Sequence, residues 1–321
     1  MTEIIDGNEV AQEIRDGLVA GIEDLTESGT TPRLATVLMN NDPASQTYVS
    51  MKHKDCEEVG IATRDIELDP EAPASELFDT VDELNADPEV HGILVQMPLP
   101  DHVDEREVLR RIDPAKDVDG FHPENVGRLV AGNPRFKPCT PHGVQKLLAA
   151  ADVETEGADA VVVGRSNIVG KPMANLLIQK SDGGNATTTV CHSRTNDLEA
   201  KLRDADIVVA AAGVPEMITG DMLSEDTVVI DVGINRVETD EGSALVGDVD
   251  FELSDSGIEL LYAEITVGID EVERRGILNT IGERLIAAED EETYRYDPDE
   301  AEFEPLLTEL REIHADVFDR A

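Results

Sequence analysis

The chain alternates between short aliphatic and β-branched runs and longer stretches with helical spacing. That rhythm restricts it to an α/β fold built on parallel strands. Residues 8–27 read as a helix, 33–39 as a continuously apolar strand, 48–60 as a helix, 61–68 as a strand, 74–85 as a helix and 90–97 as a strand. Asn40-Asn-Asp-Pro43 punctuates the first strand, while Pro98 and Pro100 end the third and turn the chain outward. After a connecting helix at 140–150 the alternation resumes with strand 158–163, helix 171–180, strand 186–190, helix 197–203 and strands 207–211 and 227–231. Two series parted near residue 140 predict a small α/β unit over 1–140 and a doubly wound, Rossmann-like unit over 141–279. A helix at 280–289 opens a last segment, 280–321, whose residues 289–304 are strongly acidic.

Composition narrows what such a fold can do. With 40% hydrophobic residues in periodic runs the chain is not disordered, and with 3% aromatics its core must rest on Val, Ile, Leu and Ala. Seventy acidic against 26 basic side chains give a net charge of −44, which repels nucleic acid phosphates. Acidity spread along the whole chain fits a protein kept soluble at very high salt, where screening shortens the reach of self-repulsion. Cys56, Cys139 and Cys191 are too dispersed for a metal site and read as reduced thiols. The start, Met1-Thr-Glu-Ile-Ile-Asp6, lacks a basic apolar leader, and no run of 18 apolar residues occurs. The expectation is a cytoplasmic protein with no membrane contact.

A nucleotide site is expected after the strand ending at Val163. There Gly164-Arg-Ser-Asn-Ile-Val-Gly170-Lys-Pro172 supplies a glycine for a tight strand exit, a second for close approach of loop and helix, and a proline that pre-sets the helix. Amides at that helix start, with Ser166 among them, can receive a diphosphate. NAD sites place a carboxylate at the end of the next strand to bind ribose hydroxyls; here Ser193 and Arg194 stand instead. Arg165 joins Arg194 around a 2′-phosphate, so NADP is expected over NAD. Gly213 and Ile234, each just beyond a later strand, let backbone approach ribose and nicotinamide, and Asp231 reads as a loop organiser.

A second polar set gathers in the first unit. Tyr48 and Lys52 lie four residues apart, on one helical face; Gln96 ends an apolar strand; Asp117 and Asp119 follow in Lys116-Asp-Val-Asp-Gly-Phe-His-Pro123. A phenol, an amine, an amide and carboxylates form the inventory of a polar active site. His122 and His192 have no zinc spacing, and no metal is assigned.

Five ordered blocks carry a family resemblance: Tyr48-x-x-x-Lys52, Gly92-Ile-Leu-Val-Gln-Met-Pro-Leu-Pro100, 116–123, Pro138-Cys-Thr-Pro-His-Gly143 and 164–172. Together they resemble the bifunctional methylenetetrahydrofolate dehydrogenase/methenyltetrahydrofolate cyclohydrolase family. The resemblance implies a folate-binding N-terminal domain completed by a C-terminal helix, an NADP domain, a folate cleft between them and a homodimer. It implies oxidation of 5,10-methylenetetrahydrofolate to the methenyl form, then hydrolysis to 10-formyltetrahydrofolate. By the same likeness Lys52 is the catalytic lysine, Tyr48 the ring against the folate, Gln96 the positioning amide and Asp119 the pterin-binding carboxylate.

The family's Pro-Gly-Gly-Val-Gly-Pro loop is missing. Residues 263–280 read Ala-Glu-Ile-Thr-Val-Gly-Ile-Asp-Glu-Val-Glu-Arg-Arg-Gly-Ile-Leu-Asn-Thr instead. Two alternatives therefore stand beside the enzyme: a folate- or nucleotide-binding protein that has lost one or both activities, and, more distantly, a small hydroxy-acid dehydrogenase.

Overall fold

A computed structural model describes residues 5–239, 242–250 and, as backbone, 261–264. The expected helix at 280–289, the acidic segment 280–321 and the replaced loop from 265 to 280 lie outside the described residues.

The first unit opens with helix α1 (Gly7–Glu27), whose start is capped by Asp6 accepting from the amides of Asn8 and Glu9. Strands β1 (Arg33–Leu38), β2 (Ala62–Glu67) and β3 (Gly92–Val95) form a parallel sheet in the order β2-β1-β3. Helices α2 (Pro43–Val59) and α3 (Ala74–Ala86) make the crossovers. Successive β1 residues serve opposite faces. Ala35 and Val37 join Leu77, Val81 and Leu84 of α3, while Leu34 joins Ile22 of α1 and Val59 of α2.

The second unit begins with α6 (Cys139–Ala150), preceded by two short helices, α4 (Glu105–Arg111) and α5 (Pro123–Val130), that the periodicity did not assign. Strands β4 (Asp159–Val163), β5 (Thr187–Cys191), β6 (Ile207–Ala210), β7 (Val228–Asp231) and β10 (Leu261–Glu264) form an all-parallel sheet in the order β10-β7-β6-β4-β5. Helices α7 (Gly170–Leu177) and α8 (Leu198–Arg203) connect the first three of these strands. Alternate sheet residues feed two cores, Val162, Val209 and Ile230 against α6 and α7, and Val161, Val208 and Val229 against Leu202 and Leu223. An antiparallel hairpin, β8 (Asn235–Thr239) with β9 (Gly242–Val246), projects after β7 and was also unassigned.

Two boundaries differ from expectation by three residues or more, for local reasons. Helix α2 starts at Pro43, five residues early, because the Asp42 carboxylate accepts from the Ser45 amide and hydroxyl and caps a helix with proline in its first turn. Helix α7 stops at Leu177, three residues early. Beyond it the Asn185 amide bonds back to the Gln179 carbonyl, and Gly184 lies so close to that carbonyl that a Cβ would sit 2.2 Å from it. Among the described residues no helix is long and apolar enough to cross a membrane.

Candidate active site

In each parallel sheet the strand order reverses once, between β1 and β3 and between β4 and β6. Crossovers leave in opposite directions there and open a crevice beyond the carboxyl ends of the strands. Both polar sets of the sequence fall at these places.

At the small sheet, the Gln96 amide N–H donates to the Val37 carbonyl at 2.9 Å, so Gln96 stands level with the end of β1. Asn40, just beyond β1, donates to the Pro98 carbonyl at 2.8 Å and ties the two loops. The Gln96 side chain donates to the Met97 carbonyl at 2.7 Å. Helix α2 leaves from the same end and carries half-buried Tyr48 and, one turn on, buried Lys52 at 9% exposure. The segment 116–119 runs beside β3 through an Ile93–Asp117 bridge, which brings Asp119 to the carboxyl end where Gln96 lies. Asp119 is half-buried, and the Cys139 thiol donates to it at 3.7 Å.

Its two neighbours in the motif are occupied otherwise. The Lys116 ammonium, at 1% exposure, donates to the carbonyls of Leu84, Asn85 and Asp87 at 2.7–2.8 Å and closes the end of α3. Asp117, equally buried, accepts from the His122 amide and the Asn125 side chain, and burial pushes its carboxyl above the ordinary carboxylate value.

At the large sheet, Gly164 leaves β4 with φ +145°, and a Cβ there would stand 2.1 Å from the Ala211 carbonyl oxygen. A Cβ on Gly170 would stand 2.3 Å from the Gly164 carbonyl oxygen. Both positions therefore demand glycine, because neighbouring backbone fills the space a side chain would need. The Ser166 hydroxyl accepts from the amides of Val169 and Gly170 at 3.0 and 3.3 Å and shapes the start of α7. A cavity of about 430 Å³ follows, lined by Gly164, Arg165, Ser166, Ser193, Ala212 and Val214 among others. Arg194, Gly213 and Ile234 are exposed and are not among its lining residues.

Comparison with known proteins decides what these crevices belong to. Residues 5–119 match the tetrahydrofolate dehydrogenase/cyclohydrolase catalytic domain, and residues 138–263 the NAD(P)-binding domain of the same family. The chain belongs to that family. It is 72% identical to the bifunctional protein FolD of Haloquadratum walsbyi over 90% of this chain and 93% of that one. Among solved structures it resembles the Campylobacter jejuni bifunctional FolD (40% identity, TM-score 0.80, 89% of this chain and all of that one). It also resembles Trypanosoma brucei FolD complexed with NADP cofactor and inhibitor (35% identity, TM-score 0.79, 89% and 98%).

In this tetrahydrofolate dehydrogenase/cyclohydrolase the structure thus brings Gln96 and Asp119 to one strand end, with α2 starting beside them, and gathers Gly164, Arg165, Ser166 and Ser193 around one cavity. A second cavity, about 330 Å³, lies between α4, α5 and α7 and holds none of the candidates. Sequence reasoning missed one participant. Asp248, beyond the hairpin, is fully buried and binds the loop that follows β6. As one of 70 acidic residues, in a Gly-Asp-Val-Asp run, it carried no distinguishing signal.

Proposed function

We infer that the chain performs two consecutive steps on a folate-borne carbon: NADP-dependent oxidation of 5,10-methylenetetrahydrofolate to the 5,10-methenyl form, and hydrolysis of that product to 10-formyltetrahydrofolate. Family membership across both described halves carries this reading, supported by the glycine-lined crevice at one switch point and the polar set at the other.

The residues present fit NADP. Gly164, Arg165 and Ser166 line the cavity before α7, where a diphosphate can lie, and Arg165, Ser193 and Arg194 are exposed donors for a 2′-phosphate. Gly213 and Ile234 are assigned to the ribose and nicotinamide side. When bound, NADP supplies the acceptor for a hydride leaving the methylene carbon. For the folate, the Asp119 carboxylate accepts paired pterin N–H groups, Tyr48 packs on the ring and Gln96 holds the carbon and Lys52 in register. In hydrolysis water attacks the cationic methenyl carbon, Lys52 takes one of its protons and returns it to the ring nitrogen as the C–N bond breaks, and the second water proton is released to solvent as the formyl carbonyl forms.

We further assign residues 1–140 to the folate domain, 141–279 to the NADP domain and 280–321 to a closing helix and tail, in a cytoplasmic homodimer. The sequence at 263–280, without the family's glycine–proline loop, favours one rival, a binding protein with a lost activity. NADPH formation from methylenetetrahydrofolate, together with methenyltetrahydrofolate hydrolysis above its spontaneous rate, decides between them. Both activities are expected; NADP and folate binding without turnover would establish the rival.

A further inference from the structure

The loop after β6 walls the dinucleotide cavity through Ala212 and Val214, yet residues distant in sequence set its shape. Gly213 takes φ +67°, and the three successive amides of Ala212, Gly213 and Val214 converge on one carboxylate. Ala212 donates to Asp248 Oδ2 at 2.6 Å, Gly213 to the same oxygen at 3.0 Å, and Val214 to Oδ1 at 2.9 Å. The Asn235 side chain, at the start of β8, donates to Oδ1 at 2.9 Å.

Asp248 is itself immobilised. Its amide donates to Asp231 Oδ1 at 3.1 Å, and its carbonyl accepts from the Ile218 amide at 3.0 Å. Gly233 abuts the carboxylate, since a Cβ there would stand 2.3 Å from Oδ1. Four donors meet two acceptor-only oxygens; a side-chain amide would turn an N–H₂ group toward two of them.

We propose that Asp248 is a positioning residue for dinucleotide binding: it clamps residues 212–214 into the cavity wall and couples that wall to the loop between β7 and β8. The inference rests on reading the cavity as the NADP site. Asp248 acts through the loop amides.

The test compares parent, Asp248→Asn and Asn235→Ala in NADP affinity by calorimetry and in methenyltetrahydrofolate hydrolysis, a reaction that transfers no hydride. Asp248→Asn is expected to weaken NADP binding about tenfold or more and to raise the dehydrogenase KM for NADP in step, with hydrolysis within about twofold of parent. Asn235→Ala removes one donor of four and leaves the carboxylate, so a loss of about two- to threefold is expected; it carries the test if Asp248→Asn does not fold. A parent that binds NADP beside folded variants that bind it equally well overturns this inference alone, as does a parallel loss of binding and hydrolysis. A parent that fails to bind NADP overturns the cofactor reading, and the inference with it.

Discussion

Lys52 and Lys116 are both buried lysines in a chain of 26 basic residues; a structural role falls to Lys116 and the proposed catalytic one to Lys52. Lys116 spends all three donors on the carbonyls that end α3. Lys116→Met should therefore lower unfolding free energy by about 3 kcal/mol, measured by denaturant titration at fixed salt, because three carbonyls, one buried and two partly buried, lose a charged donor. Lys52 sits on the helix that leaves the crevice of the small sheet. Lys52→Met should reduce enzyme-dependent methenyltetrahydrofolate hydrolysis by about a hundredfold or more while NADP affinity persists; undiminished hydrolysis would remove Lys52 from the mechanism. The two aspartates of the motif differ likewise: Asp117 is consumed by its own loop, while half-buried Asp119 lies at the strand end beside Gln96.

Between elements, the approach of α7 to β4 rests on absent side chains. A Cβ on Gly170 would meet rigid backbone at 2.3 Å, so Gly170→Ala should cost about 2–4 kcal/mol and weaken NADP binding, read by calorimetry and thermal unfolding. The end of β7 is joined to residues 247–249 by Asp231, which accepts from the amides of Gly233, Asp248 and Val249. Burial, against those bonds, raises its carboxyl from 3.8 to about 6. The folded protein thus holds this proton more tightly than the unfolded chain. The stabilisation it confers is full below the unfolded value and declines, by about 3 kcal/mol, as pH rises from near 4 to near 6. The difference in unfolding free energy between parent and Asp231→Asn should shrink over that window; a difference independent of pH would show that Asp231 titrates normally.

For the molecule as a whole, a net charge of −44 makes stability a function of ionic strength. Raising salt from about 0.1 M to about 1 M shortens the screening length from about 10 Å to about 3 Å, which removes most repulsion between surface carboxylates not in contact. The unfolding midpoint should rise by about 10 °C or more over that range, followed by circular dichroism. A midpoint insensitive to salt would separate the acidity from stability.

What the amino-acid order determined by itself was local. Continuous apolar strands such as β1 and β6, spaced helices such as α1 and α3, and the glycines that end β4 and start α7 are written within a few neighbouring residues, where chain geometry alone supplies the reason. Helix α2 lost five residues to a misread Asp42-Pro43 start, although that signal too was local. Tertiary structure decided the rest. It set the order β10-β7-β6-β4-β5, put the crevice between β4 and β6, and singled out Asp248 from 70 acidic residues. Asp248 meets amides 34 to 36 positions away, and Lys116 carbonyls 29 to 32 away. A carboxylate or an ammonium becomes structural only when the folded chain desolvates it and brings partners to every polar atom, and its own sequence neighbours do not encode those partners.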